Sequence, residues 1–107
     1  GELKHGPIAL IEKDTVVIAL ATQPSVAQKT ISNILETVAR GAKVILIASQ
    51  SQNTEGFEYV IRIPDVDPLL SCIPATVLLQ ELAYYVAKEK GCDVDKPRNL
   101  AKSVTVE

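Results

Sequence analysis

The sequence has few of the residues that build metal, disulfide or nucleic-acid sites. It contains one histidine, His5, and two cysteines, Cys72 and Cys92, which lack the paired spacing of a zinc site. Basic residues number 11 against 13 acidic ones and form no cluster, which argues against a nucleic-acid partner. Two cysteines in a domain with a substantial core predict reduced, buried thiols in a cytoplasmic protein.

Several other signatures are also missing. No segment resembles a signal peptide. The longest apolar run, residues 69–87, is interrupted by Ser71, Pro74 and further polar residues, so it is a poor membrane span and no membrane partner is expected. The sequence lacks GxGxxG, P-loop and GxSxG motifs. With 47% hydrophobic and 22% charged residues in 107, the composition predicts one globular domain.

Two short runs rich in β-branched residues predict strands covered on both faces. They span residues 16–20 and 44–48 and show no polar alternation, which is typical of a parallel sheet. Between them, a helix is predicted from Pro24 and Ser25 to the stop at Gly41. Together these segments predict a right-handed βαβ unit.

The second half of the sequence predicts one more strand and a long helix. Residues 59–63 form a third apolar run, but the preceding link is short for a parallel crossover, so the direction of this strand stays open. Residues 68–90 have a helical pattern, with Pro74 in a first turn or at a kink. The helix is apolar on more than one stripe, which indicates packing on several sides, often including a partner subunit.

Two polar segments follow predicted strands, where open α/β sheets bind ligands. They are residues 22–25, Thr-Gln-Pro-Ser, and residues 49–51, Ser-Gln-Ser. Neither has glycine-rich geometry, so the signal is weak. Helix capping accounts for Ser25 equally well.

Five charged or titratable residues could act in catalysis or binding, or could have only a structural role. His5 suits proton transfer near neutral pH, although a surface histidine beside a turn is the simpler interpretation. Lys102 could bind an anion or form an imine, or could be a solvated tail lysine. Arg98 could pair with an anion or hold the tail to the domain. Asp93 and Asp95 fit a role in anchoring the turn after the long helix.

Two terminal motifs carry a family resemblance. Residues 1–7 read GELKHGP, and residues 93–107 read DVDKPRNLAKSVTVE. Together they resemble the C-terminal part of the glutamine-fructose-6-phosphate aminotransferases, and the resemblance spans the whole chain. Enzymes of this family join a glutaminase domain to two sugar isomerase (SIS) domains. They convert fructose 6-phosphate and glutamine to glucosamine 6-phosphate and glutamate, without PLP or a metal.

The resemblance implies a fold and an organisation. The expected fold is α/β, a three-layer αβα, flavodoxin-like sheet with three parallel strands, of which the chain holds only the C-terminal portion. Residues 1–92 would form a partial SIS domain and residues 93–107 an active-site tail. The glutaminase domain, the isomerisation base and the phosphate-binding loops would lie upstream.

The resemblance also implies roles for single residues. His5 corresponds to the histidine that assists sugar ring opening in the site of a neighbouring subunit, which implies a homodimer. Lys102 corresponds to the amine that engages the open-chain ketose at C2, and Ala101 would lie near the sugar. No cofactor is implied, and the isolated chain is expected to be inactive. Two alternatives remain: a non-catalytic SIS-type sugar-phosphate-binding or dimerisation module, and a structural fragment that is stable only in an assembly.

Overall fold

The structure, a computed structural model, describes residues 2–96. Its strands are β1 (Val16–Ala21), β2 (Lys43–Ser49) and β3 (Tyr59–Ile63), and its helices are α1 (Pro24–Val38) and α2 (Cys72–Glu89). Short 3-10 helices cover Glu2–His5, Pro7–Leu10 and Pro68–Leu70. The chain divides into two compact units, one up to Ala75 and one from Thr76 onward.

The first unit is built on a parallel sheet with strand order β1-β2-β3. In the register, Val17 pairs with Val44, and Leu46 pairs with both Ala19 and Val60. Both predicted strands are therefore confirmed, β1 with one added residue and β2 with one at each end. The prediction that both faces are covered was wrong for β1, whose Val16, Ile18 and Leu20 are exposed on the side opposite α1. The third strand is parallel to β2, which confirms the direction that the family resemblance implied.

One face of the sheet packs against α1 to form the core. The buried members of this cluster are Ala19, Ala21, Ala27, Ile31, Ala42, Val44, Leu46 and Ala48. Because successive strand residues point to opposite faces, alternate positions of β1 and β2 supply this side of the sheet. The alanines among them let the helix approach the strands closely.

The start of α1 corrects one prediction from the sequence. Ser25 does not cap the helix: the N-cap residue is Gln23, and Pro24 occupies the first helical turn. The fixed φ of proline suits that position, and its missing N–H has no helical partner to lose. Ser25 thus lies one residue inside the helix. The predicted stop at Gly41 is confirmed, since its φ of 90° is left-handed backbone that favours glycine.

The crossover from β2 to β3 is short because it contains no helix. Residues 50–58, here called the 50–58 loop, carry the chain between the two strands, and Phe57 packs against the core cluster. The loop also passes close to α1 at Gly56, where an added Cβ would lie 3.1 Å from Cδ2 of Leu35. A loop that packs through its own side chains can therefore join parallel strands in few residues.

The cysteine prediction holds in part. Both thiols are free, as expected, but Cys72 and Cys92 are exposed rather than buried. Cys72 is the first residue of α2, and Cys92 follows the turn that ends it. Neither residue belongs to the core cluster, so the prediction that these thiols are buried was wrong.

The predicted long helix is divided in two by a turn. A 3-10 helix ends at Leu70, Ser71 forms the turn, and α2 begins at Cys72. Pro74 lies in the first turn of α2, as predicted, where the missing N–H costs no helical hydrogen bond. After the helix, Oδ1 of Asp93 accepts the backbone N–H groups of Asp95 and Lys96, each at 3.0 Å. This confirms Asp93 as the residue that anchors the turn.

Candidate functional site

A cleft of about 320 Å³ lies at the carboxyl edge of the three strands in the first unit. Its polar lining comes from every segment that leaves this edge, and these residues define the carboxyl-edge cleft: Thr22, Ser49, Ser51, Asp65 and Ser71. Its apolar lining is formed by Pro24, Ile63, Pro64, Val66 and Pro68. The two polar segments noted in the sequence, after β1 and after β2, are thus brought together in one cleft.

Arg62 shapes the wall of this cleft by holding the 50–58 loop. Its Nη1 atom donates to the carbonyl oxygens of Ser49 at 2.8 Å and Gln52 at 2.7 Å, and Nη2 donates to Oγ1 of Thr54 at 2.6 Å. The planar guanidinium presents several donors in a fixed geometry, which suits the binding of several acceptors at once. The sequence carried a signal for this role, because Arg62 interrupts an otherwise apolar strand.

Asp65 and Ser51 join the end of β3 to the same loop. Oδ1 of Asp65 accepts from Oγ of Ser51 at 3.1 Å and from its backbone N–H at 3.3 Å. This pair fixes one carboxylate oxygen on the loop side of the cleft. Asp65 was not noticed in the sequence, since a single aspartate after a proline is ordinary in a loop.

Gln23 fixes the other wall. Its Nε2 atom donates to the carbonyl oxygen of Pro68 at 2.7 Å and to Oγ of Ser71 at 2.8 Å. The Ser71 hydroxyl donates in turn to the Pro68 carbonyl oxygen at 2.8 Å. Ser71 is buried and fully hydrogen-bonded, so the segment that follows β3 is tied to the turn that follows β1.

A second polar group lies at the amino edge of the sheet. Nζ of Lys43 lies 2.9 Å from Oδ1 of Asp14, and this hydrogen bond and attraction raise the pKa of Lys43 above 10.5. A hydrogen bond with Glu58 raises the pKa of the Tyr59 phenol in the same way. These groups begin their strands, whereas the cleft lies where the strands end, so they take no part in it.

The structure does not bring His5 to the carboxyl-edge cleft. The side chain is exposed in the first 3-10 helix and does not line the cleft. Its neighbour Lys4 places Nζ 2.6 Å from Oε1 of Glu36, in the last turns of α1. Because α1 starts beside the cleft at Pro24 and runs about 1.5 Å per residue away from it, the His5 segment lies beside its far end.

The predicted tail residues lie outside the described part of the chain. Arg98, Ala101 and Lys102 all fall beyond residue 96, so their roles and the contacts of residues 97–107 stay predictions. Within residues 2–96, no group of three or more His, Cys, Asp or Glu side chains could hold a metal ion.

A parallel α/β sheet with a hydroxyl-lined cleft at its carboxyl edge defines an open α/β domain, the class that binds small molecules at this edge. The SIS domain family model matches residues 1–86, and the chain belongs to that family.

The chain is similar over its full length to proteins named glutamine–fructose-6-phosphate aminotransferase [isomerizing]. It is 57% identical to that of Clostridium acetobutylicum over 109 residues, 59% to that of Clostridium tetani over 113, and 50% to that of Methanosarcina acetivorans over 109. Each match covers 100% of this chain but only 18% of the relative. The chain thus spans about a fifth of the length of these curated relatives.

The fold is similar to a solved domain with a matching name. The C-terminal domain of glucosamine-fructose-6-phosphate aminotransferase from Francisella tularensis superimposes with a TM-score of 0.79 at 36% identity. The match covers 90% of this chain and 28% of that one. These findings confirm the family resemblance drawn from the two terminal motifs, together with the three-layer αβα class.

One apolar segment, Pro68–Glu89, is long and apolar enough to cross a membrane by length and composition alone. Helices of soluble proteins pass the same test, so a single segment of this kind is weak evidence. The SIS match extends to residue 86 and covers nearly all of it. Most of this segment therefore lies within the matched SIS domain.

Proposed function

We propose that the chain is part of the isomerase region of a glutamine-fructose-6-phosphate aminotransferase. The full-length protein would convert fructose 6-phosphate and glutamine to glucosamine 6-phosphate and glutamate in the cytoplasm. One observation carries this proposal: identity of 50–59% to relatives of that name extends over the whole chain. The 107 residues alone are expected to be inactive, because the glutaminase domain and the phosphate-binding loops would lie elsewhere in the protein.

In this proposal His5 and Lys102 are the catalytic side chains. His5 moves a proton between the ring oxygen and the anomeric hydroxyl, which opens the cyclic sugar. The Lys102 amine then adds to the C2 carbonyl of the open-chain ketose with loss of water. The resulting protonated imine attracts electrons more strongly than the ketone, which eases attack by ammonia and later proton removal. Ala101 places the tail backbone beside the sugar, and closure of residues 93–107 would exclude water.

The position of His5 supports a site shared between subunits. Its segment is tied to α1 through Lys4 and Glu36, at the opposite end of the helix from the carboxyl-edge cleft. An exposed imidazole held away from its own cleft is available to a second chain. A homodimer in which each His5 serves the neighbouring site fits this arrangement.

Single substitutions in the full-length protein test the two roles. Lys102→Ala and His5→Ala should each lower kcat by about 100-fold or more, the usual range for losing a positioned proton-transfer or nucleophilic group. Lys96→Ala is the matched control, since it removes a nearby exposed lysine without touching the proposed chemistry. Glucosamine 6-phosphate formation is the measurement. Full activity in the Lys102→Ala and His5→Ala double variant would refute both assignments.

Mixed dimers test the sharing of the site. A His5→Ala subunit paired with a Lys102→Ala subunit should recover about half of the wild-type activity, because one of the two sites would then have both groups. No recovery would place both groups within one chain. Saturable binding of fructose 6-phosphate without any turnover in the wild-type protein would instead favour a non-catalytic SIS module.

A further inference from the structure

The carboxyl-edge cleft has the size of a site for a single sugar ring. Its volume of about 320 Å³ is at the lower end of the roughly 300–1,000 Å³ range for small-molecule sites, too small for a nucleotide. Its surface alternates hydroxyl groups with proline and branched apolar side chains. Such a lining offers donors and acceptors to sugar hydroxyls and apolar contact to the C–H groups of the ring.

The side chains of the cleft offer no cation to a phosphate group. Among residues 2–96, the cleft is lined by no Lys, Arg or His, and Asp65 is its one charged residue. A phosphate group would therefore meet a carboxylate without a compensating cation. An ammonium group would instead form a charge-assisted hydrogen bond with Asp65.

One oxygen of Asp65 is available to a ligand. Oδ1 is occupied by the N–H and hydroxyl of Ser51, whereas Oδ2 accepts no hydrogen bond from any side chain or backbone group within residues 2–96. Arg62 and Gln23 hold the two walls on either side of it. The carboxylate is thus fixed before a ligand arrives, which lowers the entropy lost on binding.

From this geometry we propose that the carboxyl-edge cleft binds an unphosphorylated amino sugar, with its ammonium group on Oδ2 of Asp65. The hydroxyls of Thr22, Ser49 and Ser51 form hydrogen bonds with the sugar hydroxyls. This proposal goes beyond the proposed function and does not depend on it, because it uses neither His5 nor Lys102. It assigns to the chain a ligand of opposite charge to a sugar phosphate.

A local spectroscopic signal tests the proposal in the full-length protein. Ile63 lines the cleft, so its δ1 methyl group, labelled with ¹³C and assigned with Ile63→Val, reports binding at this place and not elsewhere. At mildly acidic pH, glucosamine should shift this signal saturably. Glucose, which lacks the amine, should bind about tenfold more weakly, the loss expected for one charge-assisted hydrogen bond. Glucosamine 6-phosphate should bind more weakly than glucosamine.

Two variants and a control complete the experiment. Asp65→Asn keeps an acceptor for Ser51 but removes the charge, so it should abolish the preference for glucosamine over glucose. Ser51→Ala should weaken both sugars. Glu55→Gln removes a loop charge outside the cleft lining and should leave both affinities unchanged. The proposal is overturned if glucosamine leaves the Ile63 signal unmoved, if glucosamine 6-phosphate binds more tightly, or if Asp65→Asn keeps the preference.

Discussion

At the amino edge of the sheet, two titratable residues make the stability of the fold vary with pH in the alkaline range. Asp14 raises the pKa of Lys43 above 10.5, mainly through a hydrogen bond and then through charge attraction. A group whose pKa is higher in the folded state stabilises that state below its unfolded pKa, and the contribution disappears as the pH rises through the folded pKa. Glu58 raises the pKa of the Tyr59 phenol, so the stability that Tyr59 contributes also disappears as the pH rises through its folded pKa.

We expect Asp14→Asn to return the Lys43 pKa towards 10.5, as followed by NMR of its ¹³Cε atom. The variant should be less stable than the wild type at neutral pH. This difference should shrink above about pH 10.5, where the unfolded lysine also loses its proton. Glu12→Gln removes a neighbouring carboxylate that does not contact Lys43 and is the control. An unchanged Lys43 pKa in Asp14→Asn would contradict the assignment.

Arg62 is a second residue whose removal has a specific outcome. The Arg62 guanidinium bonds four acceptors through two nitrogens, which the single amine of lysine cannot do, so Arg62→Lys should free the 50–58 loop. We expect a loss of about 1 kcal/mol in unfolding free energy, the usual net value of a hydrogen bond, and faster amide exchange in this loop. Arg40→Lys, at a site with one hydrogen bond to Glu36, should change neither quantity. Unaltered exchange in the loop would show that Phe57 packing alone holds it.

At the scale of elements, the turns that end the two α-helices can be tested through two glycines. Both Gly41 and Gly91 have left-handed backbone, with φ of 90° and 70°. An alanine in this region costs roughly 1–2 kcal/mol. At Gly41 the added Cβ would also lie 3.3 Å from Cα of Lys13, whereas at Gly91 nothing lies within 4 Å.

Gly41→Ala should therefore destabilise the protein more than Gly91→Ala does. Urea unfolding of the two variants gives the comparison, with the same substitution chemistry in each. Equal losses would mean that the loop containing Lys13 shifts without cost. A smaller loss at Gly41 would contradict the close approach between that loop and the end of α1.

The elements differed in how far the sequence could predict them. Residues 16–20 and 44–48 were recognised as strands because a continuous run of β-branched apolar residues is typical of a parallel sheet, although one face of β1 is exposed. The residues of β3 did not decide its direction, since the preceding link is short for a parallel crossover. In the structure the 50–58 loop makes that crossover without a helix, through Phe57 packing and the Arg62 hydrogen bonds. The predicted long helix is interrupted at Ser71 by a long-range contact. The Ser71 hydroxyl accepts a hydrogen bond from the side chain of Gln23, 48 residues away in the sequence.

The residues of the candidate site also differ in how far the sequence could predict them. Thr22 and Ser49 could be expected at one edge because parallel strands end together. Asp65 could not, since its place depends on the path of the chain after Pro64 and on the contact with Ser51. Residues that act through long-range contacts leave little local pattern in a sequence.

At the scale of the whole molecule, the uncovered face of β1 has the clearest consequence. Val16, Ile18 and Leu20 are 63%, 45% and 42% exposed on the side of the sheet opposite α1. In the same strand Ala19 and Ala21 are buried against that helix. In the second unit, Val77, Tyr84, Tyr85 and Val86 of α2 are also at least 46% exposed. Contiguous apolar surfaces of this kind are typical of interaction sites.

The isolated chain should consequently self-associate through these surfaces. Ile18→Thr combined with Leu20→Thr should lower the association measured by sedimentation velocity, because threonine keeps the β-branched shape or strand preference while adding a hydroxyl. Ala19→Thr is the inverse control: it places the same hydroxyl in the core, so it should destabilise the fold by about 1–3 kcal/mol. If the double variant associated as strongly as the wild type, the β1 face would not be the contact, and the exposed face of α2 would be the surface to change next.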